Sequence, residues 1–397
     1  MNRSPPRIDG AARRCYNKRM VDSNDILKLS AAFGIRAEYK TEMFPSFLSD
    51  VRSKKVCLVC DRNTEAFAVP VCDWLKGSGV ACTLFRYDEY EPVADEAHCA
   101  AAAKALAGCD YALAVGAGTL NDICKYVTFL QGKECGVLAT AASMDGYSSG
   151  VTPLIKNGFK ITENAHTVKH VLLDFGILCS APKIMTGAGA GDILAKYCCL
   201  TDWKISHLLT GEPLNEEAAG LMRVALQKCV DEIDGIRSCG KEGVDSLMRA
   251  LLISGYAMVI AGNSRPASGA EHHMSHFLEM DFLRRGKPIP LHGVKVGLGT
   301  MVSLRMYHRL AETDRGFPGK EEVLREAEKL PPPEFVRDVL ASLQCPTRFS
   351  QIGVSEDTVR DMLFNCYKIR DRFTIMTLYN RYDLMRGAAD ALIAEFY

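Results

Sequence analysis

The stretch "GNSRPASGAEHHMSH" at 262–276 sets Glu271, His272, His273 and His276 behind a turn rich in Gly, Ser and Pro, and it holds three of the chain's nine histidines. Imidazoles and a carboxylate this close can ligate a divalent metal, relay protons or line a polar helix face. On a helix, His272 and His276 share a face, whereas His273 is rotated by about 100° and looks elsewhere, so two of the three can converge on one site. The H-E-x-x-H pattern of zinc peptidases is absent because His273 stands where its Glu would be, which disfavours metal-dependent peptide hydrolysis. Further on, "IPLHGVKVGLGT" puts His292 beside Gly293 at an expected loop-to-helix start. In "PKIMTGAGAGDILAKY" the glycines at 187, 189 and 191 precede an expected helix whose first turn carries Asp192. The helix dipole alone would favour a carboxylate there. In the alternative reading Asp192 is a metal ligand, and with His272 and His292 it gives two imidazoles and a carboxylate, leaving positions for water and substrate.

A second group of residues suits a nucleotide. "YALAVGAGTLNDICKY" runs strand, glycine turn, helix, where Gly116 and Gly118 relieve crowding and the free N–H groups of the helix start can hold a phosphate. The full G-x-G-x-x-G is not present, since Asn121 occupies the last glycine position, and an ordinary βα turn would use the same glycines. After the next strand-like run, "LATAASMDGYSSG" supplies Thr140, Ser143, Asp145, Ser148 and Ser149 where an open α/β sheet binds ligands. Purely local turn chemistry favours the same residue types.

These residues need elements to carry them. From about 55 to 180, β-like runs ("KVCLVC", "ACTLFRY", "YALAVGAG", "CGVLAT", "HVLLD") alternate with helical stretches such as "AFAVPVCDWLKG", which predicts a parallel α/β sheet. After Pro182 the strands nearly vanish and apolar residues recur at helical spacing, which predicts an all-α half. A boundary near "CSAPK" divides the chain into a disordered tail at 1–20, a nucleotide-binding α/β domain at 21–180 and a helical metal- and substrate-binding domain at 181–397, with a cleft between the domains as the expected ligand site. "KLPPPEF" at 329–335 reads as a stiff connector.

Lys plus Arg and Asp plus Glu are both 48 in 397 residues, so nothing suggests the basic surface that nucleic acid or an anionic membrane requires, and a small-molecule ligand is expected. The run "LLISGYAMVIAG" reads as too short to span a bilayer, and as a helix buried on all sides. The basic N-terminus lacks the apolar segment of a secretory signal, so a cytoplasmic location is expected. Sixteen scattered cysteines give no disulfide framework; Cys57 and Cys60 form a nominal C-x-x-C, but on a strand they face opposite sides and read as core.

Taken together, "GAGTLNDICKY", "TAASMDGYSS", "GAGAGDILAK", "RPASGAEHHMSH" and "LHGVKVGLGT" resemble, in this order and spacing, the sn-glycerol-1-phosphate dehydrogenases of the superfamily that includes iron-containing alcohol dehydrogenases, glycerol dehydrogenase and dehydroquinate synthase. The resemblance covers roughly 25–390, including "IRDRFTIMTL", and departs from the usual glycine run at Ala117. It implies a dehydroquinate synthase-like fold, a Rossmann-like parallel sheet followed by an all-α domain. It also implies Asp61, Gly116, Gly118, Thr119, Leu120, Asn121, Asp122, Thr140, Ser143 and Ser149 on NAD(H) or NADP(H), and Asp192, His272 and His292 on one divalent metal that could be zinc, nickel or iron. Asp145 and His276 match residues on the substrate, with Asp192 beside it. The implied reaction is reversible reduction of dihydroxyacetone phosphate by a homo-oligomer. Glycerol dehydrogenase and a dehydroquinate synthase-like lyase are the alternatives; "RPASGAEH" favours the phosphate ester. Arg86 and Tyr87, followed by Asp88 and Glu89, leave the choice between NAD and NADP open.

Overall fold

The computed structural model describes residues 26–397, so the tail expected at 1–20 lies outside the described residues. The chain forms two compact units. One holds the described residues up to Thr140 with Tyr147–Leu154 and Thr162–Leu178; the other holds Ala141–Gly146, Ile155–Ile161 and Cys179–Tyr397.

The first unit is built on a sheet of β1 (Arg36–Tyr39), β2 (Val56–Cys60), β3 (Cys82–Arg86), β4 (Tyr111–Gly116), β5 (Glu134–Ala139) and β8 (His170–Leu173), in the order β1-β8-β5-β4-β2-β3. All pairings are parallel. Every residue of β2, β4 and β8 is buried, as a sheet covered on both faces demands, whereas the edge strands β1 and β3 are largely open. Cys57 and Cys60 lie in β2, and burial lifts their thiols to about 11 and about 12, which keeps both protonated. The accompanying helices are α1 (Ile26–Ala32), α2 (Pro45–Val51), α3 (Glu65–Gly77), α4 (Glu96–Ala105), α5 (Gly118–Gln131) and α6 (Phe175–Leu178). From β2 the chain steps outward to β3, then crosses back to β4 and onward to β5, so the order reverses between β2 and β4. The loops leaving these two strands, at Asp61 and Gly116, flank the position where open α/β sheets take ligands.

Two strand features escaped the sequence reading. β1 is a four-residue edge strand with two charged residues, and β6 (Val151–Lys156) pairs with β7 (Phe159–Asn164) in a separate hairpin. Its two-residue turn is Asn157-Gly158, both at positive φ, the combination a tight hairpin prefers.

The described residues of the second unit from Cys179 onward are helical: α7 (Lys183–Leu194), α8 (Lys196–Thr210), α9 (Glu216–Asp231), α10 (Ile233–Arg237), α11 (Lys241–Ala261), α12 (Ala270–Arg284), α13 (His292–Arg309), α14 (Lys320–Ala327), α15 (Pro333–Ser342), α16 (Glu356–Asn365), α17 (Ile375–Arg381) and α18 (Met385–Phe396). The glycines at 187, 189 and 191 do not precede a helix; they lie inside α7, and Asp192 sits near its C-terminal end rather than in a first turn. The dipole there opposes a carboxylate, so dipole stabilisation does not account for Asp192. The apolar run at 251–262 continues a 21-residue helix, α11, long and apolar enough to cross a membrane by length and composition, and 56% of its most apolar window is buried within the fold. That corrects the all-round burial expected of it, since only part of that window is enclosed. The prolines at 331–333 bring the chain into α15, with Pro333 in its first turn, where a missing N–H costs nothing.

Candidate metal centre and nucleotide loop

Asp192, His272 and His292 come from three helices, and the glycines explain how those helices meet. A Cβ on Gly191 would stand 2.4 Å from the Gly293 carbonyl oxygen, and one on Gly293 would stand 1.8 Å from that of Ala188. The backbones of α7 and α13 therefore touch directly where Asp192 leaves one helix and His292, first residue of the other, leaves the second. Glycine within a helix costs about 1 kcal/mol relative to alanine; the close crossing offsets it. His272 arrives from the first turn of α12, and each of the three side chains offers a donor atom within 4.8 Å of the others. His272 Nε2 is 3.6 Å from Asp192 Oδ1. Two donors about 2.1 Å from one tetrahedral ion stand about 3.4 Å apart, so the spacing fits a shared divalent cation.

Two glutamates set the tautomers. His272 Nδ1 donates to Glu271 Oε1 at 2.8 Å, and His292 Nδ1 donates to Glu279 Oε1 at 3.4 Å, which leaves each Nε2 with its lone pair. Burial, reinforced by the neighbouring His292 and Lys196, holds His272 well below its usual value, so the ring is neutral, as a ligand must be. Glu271 is pushed up to about 8, first by burial and then by Asp202. Burial works in the same direction on Glu279, but Lys160 at 2.9 Å and Lys295 at 3.4 Å outweigh it and hold that carboxyl well below its usual range.

Asp145 stands beside this cluster within the second unit: its backbone N–H donates to Asp192 Oδ2 at 3.1 Å, and its Oδ2 accepts from Lys196 Nζ at 2.8 Å and from Ser254 at 2.7 Å. Burial would raise its pKa, but Lys196 overrides burial and keeps Asp145 low, whereas burial and the Asp145 charge raise Asp192. Lys196, fully buried, also reaches Asp192 Oδ1 at 3.1 Å. His276 is not one of the three converging donors; its ring lies 6.4 Å from His272 and 6.1 Å from His292, donates Nδ1–H to Glu279 at 3.0 Å and receives Arg370 at Nε2 at 3.2 Å. His273 is fully buried, and neither ring nitrogen has a hydrogen-bond partner.

In the first unit, Gly116 ends β4 and Gly118 opens α5, with Ala117 between them as a cap that makes no side-chain hydrogen bond. The opening amides thus remain available to an anion. A Cβ on Gly116 would stand 2.5 Å from the end of the Leu120 side chain, so any larger residue there would have to push Leu120 aside for the turn to close on its helix as it does. Asn121 is completely buried and both atoms of its amide are without partners, a polar group that a bound nucleotide would satisfy. Thr119 and Asp122 belong to the same first turns of α5. The Thr140 N–H donates to the Gly116 carbonyl at 3.2 Å, and Ser149 accepts from the buried Lys125 at 3.1 Å. Asp61 Oδ1 accepts from both the N–H and the hydroxyl of Thr64 at 2.9 Å, and burial raises its pKa. Ser143, also buried, falls in the second unit with Asp145.

Sequence reasoning overlooked Lys196, Ser254, Glu279, Lys160 and Lys295. Two of them carried a spacing signal: Lys196 follows Asp192 by four residues, and Glu279 follows His276 by three, each pair on one helical face.

A parallel sheet with a nucleotide-ready turn and a helical unit with a two-histidine, one-carboxylate cluster describe the class of metal-dependent dehydrogenases. The family model for iron-containing alcohol dehydrogenase matches residues 38–182. A glycerol-1-phosphate dehydrogenase (NAD(P)+) of Bacillus licheniformis is 35% identical over 86% of this chain and 87% of its own, and one of Bacillus velezensis is 38% identical over 81% and 84%. The crystal structure of a probable glycerol dehydrogenase from Sinorhizobium meliloti shares the fold at a TM-score of 0.62, with 18% identity over 94% of this chain and 96% of that one. The chain belongs to the glycerol-1-phosphate dehydrogenase family of the iron-containing alcohol dehydrogenases.

Proposed function

We propose that the protein reduces dihydroxyacetone phosphate to sn-glycerol 1-phosphate with NADH or NADPH, and catalyses the reverse oxidation. The observation that carries this is the convergence of Asp192, His272 and His292, in a chain so similar to glycerol-1-phosphate dehydrogenases. A divalent ion held by these three side chains supplies Lewis-acid polarisation of the substrate carbonyl. The opening amides of α5 would hold the pyrophosphate of a nicotinamide dinucleotide, which would supply the hydride. Asn121 and the turn around Gly116 and Gly118 hold the dinucleotide in this reading, with Thr119, Leu120, Asp122, Asp61, Thr140, Ser143 and Ser149 along it. Asp145, ionised and fixed through Oδ2 by Lys196 and Ser254, accepts a hydrogen bond from a substrate hydroxyl on Oδ1. His276, locked between Glu279 and Arg370, orients the far side of the substrate.

Arg86, at the end of β3, is paired with Glu65 at 2.8 Å and Asp88 at 2.9 Å, and both NADH and NADPH belong to this reading. Zinc, nickel or iron each suits the mixed donors. The reading includes a homo-oligomeric, cytoplasmic enzyme, and light scattering checks the assembly. The deciding experiment is NADH and NADPH oxidation with dihydroxyacetone phosphate against dihydroxyacetone, together with elemental analysis of the purified protein. Turnover of the ester that disappears on chelation supports the proposal; preference for the unphosphorylated ketone, or a cycle without net cofactor consumption, rejects it.

A further inference from the structure

The second unit holds a cationic recess next to His276. Arg370 Nη1 and Arg372 Nη2 both donate to the hydroxyl of Ser264, at 3.4 and 2.9 Å, and Arg372 Nη1 reaches the Ser268 carbonyl at 3.4 Å. Neither guanidinium forms an ion pair with a carboxylate among the described residues, in contrast to Arg265, which is paired with Glu212. Burial holds both below the usual arginine value, and for Arg372 the neighbouring Arg370 and Arg265 charges add to it, bringing it to about 10. Glu279 and Glu212 act on Arg370 and Arg372 from a distance, but two crowded, half-buried cations with no carboxylate in direct contact are unfavourable on their own. Further hydrogen-bonding capacity is left over around them: the buried Ser268 hydroxyl, Arg265 Nη1 and both ring nitrogens of His273 are unpartnered.

The ligand this recess suits is a dianion with several oxygens. Two guanidinium forks and a hydroxyl can satisfy the three terminal oxygens and the double charge of a phosphate monoester, whereas a single carboxylate would leave one cation uncompensated. Arg370 also touches His276, whose ring lies 6.4 Å from that of His272 and 6.1 Å from that of His292. We propose that Arg370 and Arg372, with Ser264, Ser268 and His273, bind the phosphate group of the three-carbon substrate and set its selection over unphosphorylated polyols. This rests on the function proposed above.

The test compares the wild-type enzyme with R370Q, R372Q and R372K, each checked for folding by circular dichroism. The readouts are the ratio of kcat/KM for dihydroxyacetone phosphate to that for dihydroxyacetone, and calorimetric binding of inorganic phosphate. The ratio is expected to fall about 100-fold in R372Q, the scale set by losing a charge-assisted contact, with partial recovery in R372K; phosphate binding should weaken at least 10-fold in R370Q and R372Q. Folded variants that keep both the ratio and phosphate affinity overturn the proposal. Should R372Q not fold, R370Q and R372K give the same comparison. A wild-type enzyme that does not prefer the ester overturns the functional reading instead, and phosphate binding then judges the recess by itself: retained affinity in R370Q and R372Q overturns it, lost affinity upholds it as an anion site.

Discussion

Glu271 and Glu279 each accept an Nδ1–H and so turn an Nε2 lone pair toward Asp192 or the space beside it. Removal of Asp192 deletes the anionic donor of the set: if the three side chains hold a divalent ion, D192N should lose most bound metal in elemental analysis and at least about 1,000-fold in NAD(P)H oxidation rate. Glu279 acts through others. Its loss in E279A leaves Lys160 and Lys295 without their acid and frees two imidazoles, so we expect about 3 kcal/mol of destabilisation in urea titration and roughly 10- to 100-fold weaker Zn2+ binding. The imidazoles and Asp192 were legible in the sequence because their types are scarce and chemically distinctive. Glu279 was not, because an acid on a helix reads as a solvated face, and only the fold shows that this one is buried among two lysines and two histidines.

The glycine-rich segment at 187–191 reads as a loop because glycine is a poor helix former, yet tertiary packing overrides propensity and places it inside α7. The glycines are visible in the sequence but their partner is not, since Gly191 meets Gly293 of α13, 102 residues downstream. G191A should therefore destabilise the protein by about 1–3 kcal/mol, because the added methyl must displace backbone rather than a flexible side chain, and should weaken metal binding alongside. G220A, in the middle of α9 with nothing within 4 Å of the new methyl, should instead stabilise by about 1 kcal/mol. Thermal melts of the two variants test the contrast. The parallel strands were readable from their unbroken apolar runs. The β6–β7 hairpin was missed although its Asn-Gly turn was on view, because its strands, with burial alternating only in part, lack a clean period-2 pattern.

At the level of the whole chain, acid should weaken the fold well before it titrates the surface carboxylates. His170, at the start of β8, has Nδ1 2.8 Å from the Tyr111 hydroxyl and Nε2 2.8 Å from Asp50. Burial pushes it below its ordinary 6.5, although Asp50 pulls the other way. Its unfolded form therefore takes up a proton before the folded form does, and the stability its neutral ring allows is complete above about pH 6.5 and falls away as the pH drops through the lower folded value. Urea midpoints measured from pH 7.5 to 4.5 should decline, and H170Q should flatten the decline. The alternation of strand and helix announced the α/β half, and the helical period announced the rest. The crossing of α7 and α13 carries a consequence of its own. Main chain rests on main chain there, with no pliable side chain in between to absorb loosening on warming. A cation held by Asp192, His272 and His292 would depend on that crossing, so heating the metal-loaded protein should release metal and melt the helices in a single step rather than by gradual leakage.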